Sequence, residues 1–414
     1  MDERGGSAAE KGLGYDGAAK EGALPDWNVL REDLNLPAAV LSAERLRHNR
    51  NWMQRFADAY DARLAPHGKT TMAPKLFAMQ LEGGAWGITL ATAQQTQAAY
   101  AHGVRRVLMA NQLVGRGNMA IVSRLLEDPA FDFYCLVDSV AQAAYLAAYF
   151  RERGQRLQVL LELGEAGGRT GVRDDAQMRA VLEALATHQN VLTLCGVELY
   201  EGVLKDEASI RKLLERAAQV TATLLAERRF ARHPALLSGA GSAWFDVVAE
   251  VLTRAGLRAA VEVVLRPGCY LTHDVGNYAQ AQARMMAEND VARGLGEGLL
   301  PALQIWAYVQ SMPEPGLAIV AMGKRDASFD SGLPAAALSY RPGAAGPLAA
   351  PGHWRVTRMM DQHAFLEIRD GDDLRVGDMV AFDIVHPCLT FDKWRALVVV
   401  DARYQVVDVV RTCF

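Results

Sequence analysis

The sequence predicts a TIM-type (β/α)8 barrel followed by a smaller, mainly β domain, and three observations carry that prediction. The chain has 414 residues, more than one ordinary compact domain uses. From Ser42 onward, short apolar runs alternate with amphipathic stretches, which marks a parallel α/β sheet or barrel. After Tyr270 the alternation gives way to strand-like runs separated by Pro and Gly turns.

The elements follow in order. The opening MDERGGSAAEKGLGYDGAAKEGALP is too polar for a signal-peptide core, so 1–35 is expected to be an extension, partly disordered. A strand near 36–42 is expected to be able to join the second domain. Strands are expected at 63–66, 87–91, 106–110, 133–137, 158–163, 194–199, 235–238 and 261–265. Around them lie amphipathic stretches such as AERLRHNRNWMQRFADAY and ASIRKLLERAAQVTATLLAERRF, apolar at three- and four-residue spacing. Eight βα units over about 230 residues match the size of a TIM barrel, placed at 36–270, with the β domain at 271–414. That domain is read from LQIWAYVQSM, GLAIVAMG, MVAFDIV and ALVVVDARYQVVDVVRTCF, with RPGAAGPLAAPGHW as a loop.

Composition narrows the function classes. Half of the residues are hydrophobic and 22% are charged, the balance of a globular protein with a sizeable core. A formal net charge of -4 and a pI near 6.2 give no positive field to attract nucleic acid or an anionic membrane. The cysteines Cys135, Cys195, Cys269, Cys388 and Cys413 are odd in number and contain no CxxC pair. That argues against a disulfide framework or a closed zinc cluster and fits a reducing cytoplasm. No apolar run reaches the length needed to span a bilayer.

Each predicted strand leads into a polar or glycine-rich segment: PHGKTT, TAQQ, NQLVG, DSV, GEAGGRTG, YEG, SGAGS and RPGCY. In a barrel these emerge together on the carboxyl-end face, where active sites lie. Lys69 lies within the first of them, at the end of the first barrel strand. A lysine that attacks an aldehyde must give up its proton, which desolvation favours, although most lysines are solvated surface groups. SGAGS, with Ser238, Gly239, Gly241 and Ser242, follows a strand and precedes a helical stretch, so its N–H groups and hydroxyls suit a phosphate; a plain tight turn is the equal alternative. His386 and Cys388, one residue apart, would face the same way on an extended strand, and an imidazole beside a thiolate suits Zn²⁺ or another divalent metal. Two ligands leave positions for water and substrate. His273, His353 and His363 are read as structural.

The string LAPHGKTTMAPKLFAMQLEGGAWGITLATAQQTQAAYAHGVRRVLMANQLV resembles the D-serine dehydratase and D-threonine aldolase family, whose barrel is of the alanine racemase type, pyridoxal 5'-phosphate (PLP) fold type III. The resemblance continues in the family's order through LPAAVLSAERLRHN, LELGEAGGRTGV, GVELYEG, SGAGS, LRPGCYLTHD and DIVHPCLTFDKW, from about Leu36 onward. It implies that Lys69 carries PLP as a Schiff base, with His67 and Thr70 beside it, Arg169 near the cofactor ring and Tyr200 lining the site. It also implies that Gly268, Cys269 and Tyr270 complete the phosphate cup begun by SGAGS. Family dehydratases carry histidine and cysteine where this chain has His386 and Cys388, whereas the aldolases show histidine and aspartate, so Cys388 tilts the expectation toward dehydration. The family string HVKTHK is replaced here by His67-Gly68-Lys69-Thr70-Thr71-Met72, which changes groups near the substrate. The implied activity is conversion of D-serine, D-threonine or 3-hydroxy-D-aspartate to a 2-oxo acid and ammonia, by a homodimer. Retro-aldol cleavage to glycine and an aldehyde, racemisation, and non-catalytic PLP binding remain as alternatives.

Overall fold

The computed structural model describes residues 10–14, 26–241 and 243–414. After β1 (Ala38–Ser42), the Ser42 hydroxyl accepts from the Arg45 N–H and caps α1 (Ala43–Ala59), which buries Trp52, Met53 and Phe56. The barrel then alternates strand and helix: β2 (Arg63–Leu64), α2 (Pro74–Glu82), β3 (Ile88–Leu90), α3 (Ala93–Ala101), β4 (Arg106–Gln112), α4 (Arg116–Leu125), β5 (Asp132–Val137), α5 (Val140–Arg151), β6 (Leu157–Leu163), α6 (Asp175–Thr187), β7 (Leu192–Leu199), α7 (Glu207–Ala226), β8 (Ala235–Gly239), α8 (Phe245–Arg254) and β9 (Val261–Leu265). All eight predicted barrel strands are present.

The barrel sheet runs β2-β9-β8-β7-β6-β5-β4-β3. A parallel bridge from His67 to Thr89 closes the ring, and the Thr89 N–H donates to Pro66 O at 2.8 Å. Side chains alternate across the strands with period two. Leu108, Tyr134, Leu136, Leu160, Leu236 and Val264 fill the lumen. Val107, Phe133, Val159, Leu161 and Leu237 point outward to the helices. Thr92, Ser139, Asp174 and Asp206 cap α3, α5, α6 and α7, each side chain accepting from an N–H three residues on. The segments before these caps form the barrel mouth.

The chain beyond Tyr270 departs from the strand-like reading at its start, where α9 (Asn277–Glu288) and α10 (Asp290–Gly294) come first. Met285 is the residue that α9 buries, so its apolar stripe was too narrow to signal a helix. The second sheet comprises β10 (Leu303–Glu314), β11 (Leu317–Val320), β12 (Ala335–Tyr340), β13 (Leu348–Ala349), β14 (Arg355–Met359), β15 (Ala364–Glu367), β16 (Met379–Asp383), β17 (Ala396–Val400) and β18 (Val406–Arg411), joined by β1. The short α11 (Cys388–Phe391) lies between β16 and β17. Its main path is β13-β12-β16-β10-β1-β17-β18, so the first strand of the chain sits inside the sheet, antiparallel to β10 and parallel to β17. Among the described residues, no helix is long and apolar enough to cross a membrane.

Candidate active site

Lys69 lies in a single 3-10 turn, Gly68–Thr70, just after β2. The turn is held to the end of the neighbouring strand β9, where the His67 N–H donates to Pro267 O at 3.2 Å. Lys69 itself is exposed at the mouth, whereas Thr70 on its flank is buried. Gly268 packs against this turn so closely that a Cβ there would stand 2.5 Å from Thr70 Oγ1, which requires glycine. His67 Nδ1 is buried without a hydrogen-bond partner. Burial, followed by the charges of Lys69, Arg266 and Arg169, holds the His67 pKa well below its ordinary value, so the ring is neutral.

Across the mouth, Arg169 places its guanidinium 4.3 Å from the centre of the Tyr200 ring. Burial raises the Tyr200 phenol above its usual range. Arg266, one residue past β9, is buried and ion-paired with Glu198 of β7. Its Nε donates to Ser238 Oγ at 2.9 Å, its Nη2 to Leu199 O at 2.9 Å, and Ser238 Oγ donates in turn to Val264 O at 3.1 Å. The Ser238 hydroxyl thus links Arg266 to Val264 within the lumen. The Ala240 and Gly241 N–H groups both donate to the Glu201 carboxylate, which burial pushes up from its usual pKa. Ser242 lies outside the described residues.

The RPGCY segment divides. Gly268 stays at the Lys69 turn, but the Tyr270 ring is buried away from the mouth, its hydroxyl accepting from Gln80 Nε2 at 3.0 Å. Cys269 turns instead to the other chemical centre, with its Sγ 3.5 Å from Cys388 Sγ.

That centre is not strand-borne, contrary to the sequence expectation. β16 ends at Asp383, Pro387 has φ -57 and ψ -41, and Cys388 opens α11. The proline ring holds φ near the helical value, so the chain turns between the two residues. His386 and Cys388 nevertheless touch through their side chains. His386 Nδ1 donates to Asp330 Oδ2 at 2.7 Å, leaving Nε2 for another partner. The His386 N–H donates to Ser328 Oγ and the Ser328 N–H to Thr390 Oγ1, pinning the Asp330 loop to α11. Hydrogen bonding to Cys388 and Asp330 raises His386 to a pKa of about 9, against burial. Cys388 is pulled down by Cys269, His386 and Thr70, and Cys269 is pushed up by Cys388 and burial, so Cys388 is the thiolate of the pair. Cys388 Sγ lies 3.3 Å from Thr70 Oγ1, which joins this centre to the lysine turn. Among the described residues, no three His, Cys, Asp or Glu side chains are gathered to hold a metal ion.

These residues fit PLP. An exposed primary amine, Lys69, and a guanidinium with no carboxylate partner among the described residues, Arg169, both act on His67, which suits an aldehyde carrying a dianionic phosphate. The orphaned polar atoms His67 Nδ1 and Glu198 Oε2 mark room for a polar guest, and paired N–H groups already converge on an anion at Glu201. His386, backed by a carboxylate, and the Cys388 thiolate have the donor chemistry of an open divalent-metal site. Sequence reasoning missed Arg266, Glu198, Glu201, Asp274 and Asp330. Arg266, Glu198, Glu201 and Asp274 stand inside strings already singled out, LRPGCYLTHD and GVELYEG, whereas Asp330 lies in a loop that carries no pattern.

Residues 41–263 match the family model described as alanine racemase, N-terminal domain, and 302–400 match the putative serine dehydratase domain. The chain is 26% identical to a D-threonine aldolase of Arthrobacter sp over 310 residues, 73% of this chain and 75% of that one. It is 30% identical to the D-threo-3-hydroxyaspartate dehydratase of Delftia sp. (strain HT23) over 243 residues, 56% of this chain and 63% of that one. The crystal structure of D-threonine aldolase from Filomicrobium marinum superposes with a TM-score of 0.75 at 24% identity, covering 94% of this chain and 98% of the other. With more than half of its length matched by the barrel model and the remainder led by the dehydratase domain, the chain belongs to the alanine racemase-type barrel family, in its D-serine dehydratase and D-threonine aldolase branch of PLP-dependent lyases.

Proposed function

We propose that the chain eliminates water from small β-hydroxy D-amino acids (D-serine, D-threonine or 3-hydroxy-D-aspartate), giving a 2-oxo acid and ammonia with PLP and a divalent metal, taken as Zn²⁺. The observation that carries this reading is the His386–Cys388 pair, backed by Asp330 and touching Thr70 next to Lys69. When bound, PLP supplies an electron sink for charge left at Cα, and the metal supplies Lewis acidity to the β-hydroxyl. Lys69, the backbone of residues 239–241 and Gly268, and the pair Arg169 and Tyr200 would hold the cofactor. Ser242 belongs to the same proposal. His386 and Cys388 would hold the metal.

The chain's own groups then have defined work. Lys69 Nζ, exposed and without an ion-pair partner among the described residues, takes the proton from Cα. Neutral His67 adds no further positive charge beside that amine. Asp330 fixes the His386 ring with Nδ1 protonated, so that Nε2 faces the metal position. The Ala240 and Gly241 N–H groups, now on Glu201, are the donors for which an incoming phosphate competes.

A second reading, retro-aldol cleavage to glycine and an aldehyde, is favoured by the likeness to the Arthrobacter aldolase. One assay separates the two. Purified protein with PLP and Zn²⁺ is incubated with D-serine and D-threonine, with the L-enantiomers as controls, and 2-oxo acids, glycine and aldehyde are measured in the same samples. Pyruvate and 2-oxobutyrate from the D-forms alone are expected; glycine with acetaldehyde from D-threonine, and no 2-oxo acid, would move the protein to the aldolases. Cys388→Ala is expected to remove metal while leaving the cofactor's absorption, and undiminished dehydration by that variant would exclude the metal role.

A further inference from the structure

We infer that Cys269 is a third protein ligand, so that this chain holds its metal between two thiolates and one imidazole. This rests on the reading of His386 and Cys388 as metal ligands and adds a residue from the barrel side of the site. The Cys269 and Cys388 sulfurs are 3.5 Å apart. Two thiolates on one tetrahedral zinc, with bonds of about 2.3 Å, stand about 3.8 Å apart. A disulfide needs about 2.05 Å. The observed separation is thus within a few tenths of an ångström of the shared-metal distance, whereas a disulfide would require closure by about 1.5 Å.

A second, independent feature points to a cation at the same place. Asp274 is 1% exposed, and its Oδ2 is buried without a hydrogen-bond partner. Its other oxygen accepts from the Gly276 and Tyr278 N–H groups. The Val275 N–H donates to Ile384 O at 3.2 Å, which ties this segment to the chain leading into His386. The carboxylate acts electrostatically on both Cys269 and His386. A buried carboxylate oxygen without a hydrogen-bond partner is costly unless positive charge acts on it. The three ligands do not converge on one point as they stand. Cys388 touches both of the others, so a shared metal would need the Cys269 side chain and the His386 ring to turn toward a common point beside it. A second thiolate also makes the site softer, favouring Zn²⁺ or Co²⁺ over Mg²⁺.

The test counts sulfur–metal bonds in the full-length protein loaded with PLP and Co²⁺. Thiolate-to-cobalt charge-transfer absorption in the near ultraviolet scales with the number of Co–S bonds. Wild type is expected to show a two-thiolate band and Cys269→Ser about half of it, one bond of two being lost. Cys269→Ala repeats the measurement with no hydroxyl replacing the thiol, and the bound cofactor's absorption checks that each variant is folded. An unchanged band in both Cys269 variants overturns the third ligand while leaving His386 and Cys388 as ligands. No thiolate band in wild type overturns the underlying metal reading as well. A wild-type chain that takes up Co²⁺ only after reduction, and whose mass shows two hydrogens missing, holds the pair as a disulfide, which also overturns the inference.

Discussion

The two banks of the candidate site are built by different means. On the barrel bank, Arg266, Glu198 and Ser238 stand at strand ends, buried and linked by hydrogen bonds across three neighbouring strands. On the other bank, His386, Cys388 and Asp330 come from irregular chain and one short helix, tied together by side chains. The first arrangement suits a group that must be held rigidly, since strand ends in a closed ring move little. The second suits the part of a site that varies between related reactions, because loops change at small cost to the fold.

Lys69→Ala should break the first bank's chemistry most completely. Turnover is expected to fall by about 10²–10⁴-fold or more, with loss of the bound cofactor's visible absorption, while Zn²⁺ uptake at the second bank persists. Loss of both cofactor and metal together would show that the banks are not separable.

Next in size is the buried ion pair. Arg266→Met leaves Glu198 buried without its partner, and removing one member of such a pair costs about 3–5 kcal/mol. Denaturant unfolding should report that loss, whereas His386→Asn, on the more open bank, should cost less than about 1 kcal/mol.

His273 lies at the seam, buried, and burial lowers its pKa to about 4. The unfolded chain therefore binds a proton first, near pH 6.5, so this contribution is complete above that pH and is lost as pH falls toward about 4. It amounts to at most about 3 kcal/mol. Unfolding measured at several pH values in wild type and His273→Gln should show the acid-side slope flattening in the variant. A slope that is the same in both would assign the loss to other groups.

The smallest effect belongs to Asp330→Ala, which removes only the support of His386, the proposed ligand. Zn²⁺ affinity, measured by chelator competition, is expected to drop by about 10–100-fold. Asp330→Asn, which can still accept from His386 Nδ1, should recover part of it.

Much of the barrel was legible because its signals are local. Short apolar runs mark each strand, and apolar residues at three- and four-residue spacing mark the helices between them. The conformation of the HPC segment was not, since one proline between two polar residues is compatible with strand end or helix start. Glu201 stood in a noticed string, yet its role depends on an N–H pair about 40 residues away. Asp330 gave no signal, because a loop aspartate shows its purpose only when His386 is placed beside it.

The sequence by itself determined the (β/α)8 barrel and the lysine at its mouth, since short-range periodicity and loop chemistry are written into neighbouring residues. Only the tertiary structure decided that β1 lies inside the second sheet, between β10 and β17. It also decided that Cys388 meets Cys269 and Thr70, which precede it by 119 and 318 residues. Contacts at such separations are set by how whole elements pack, and packing leaves no periodic trace in the chain that makes them.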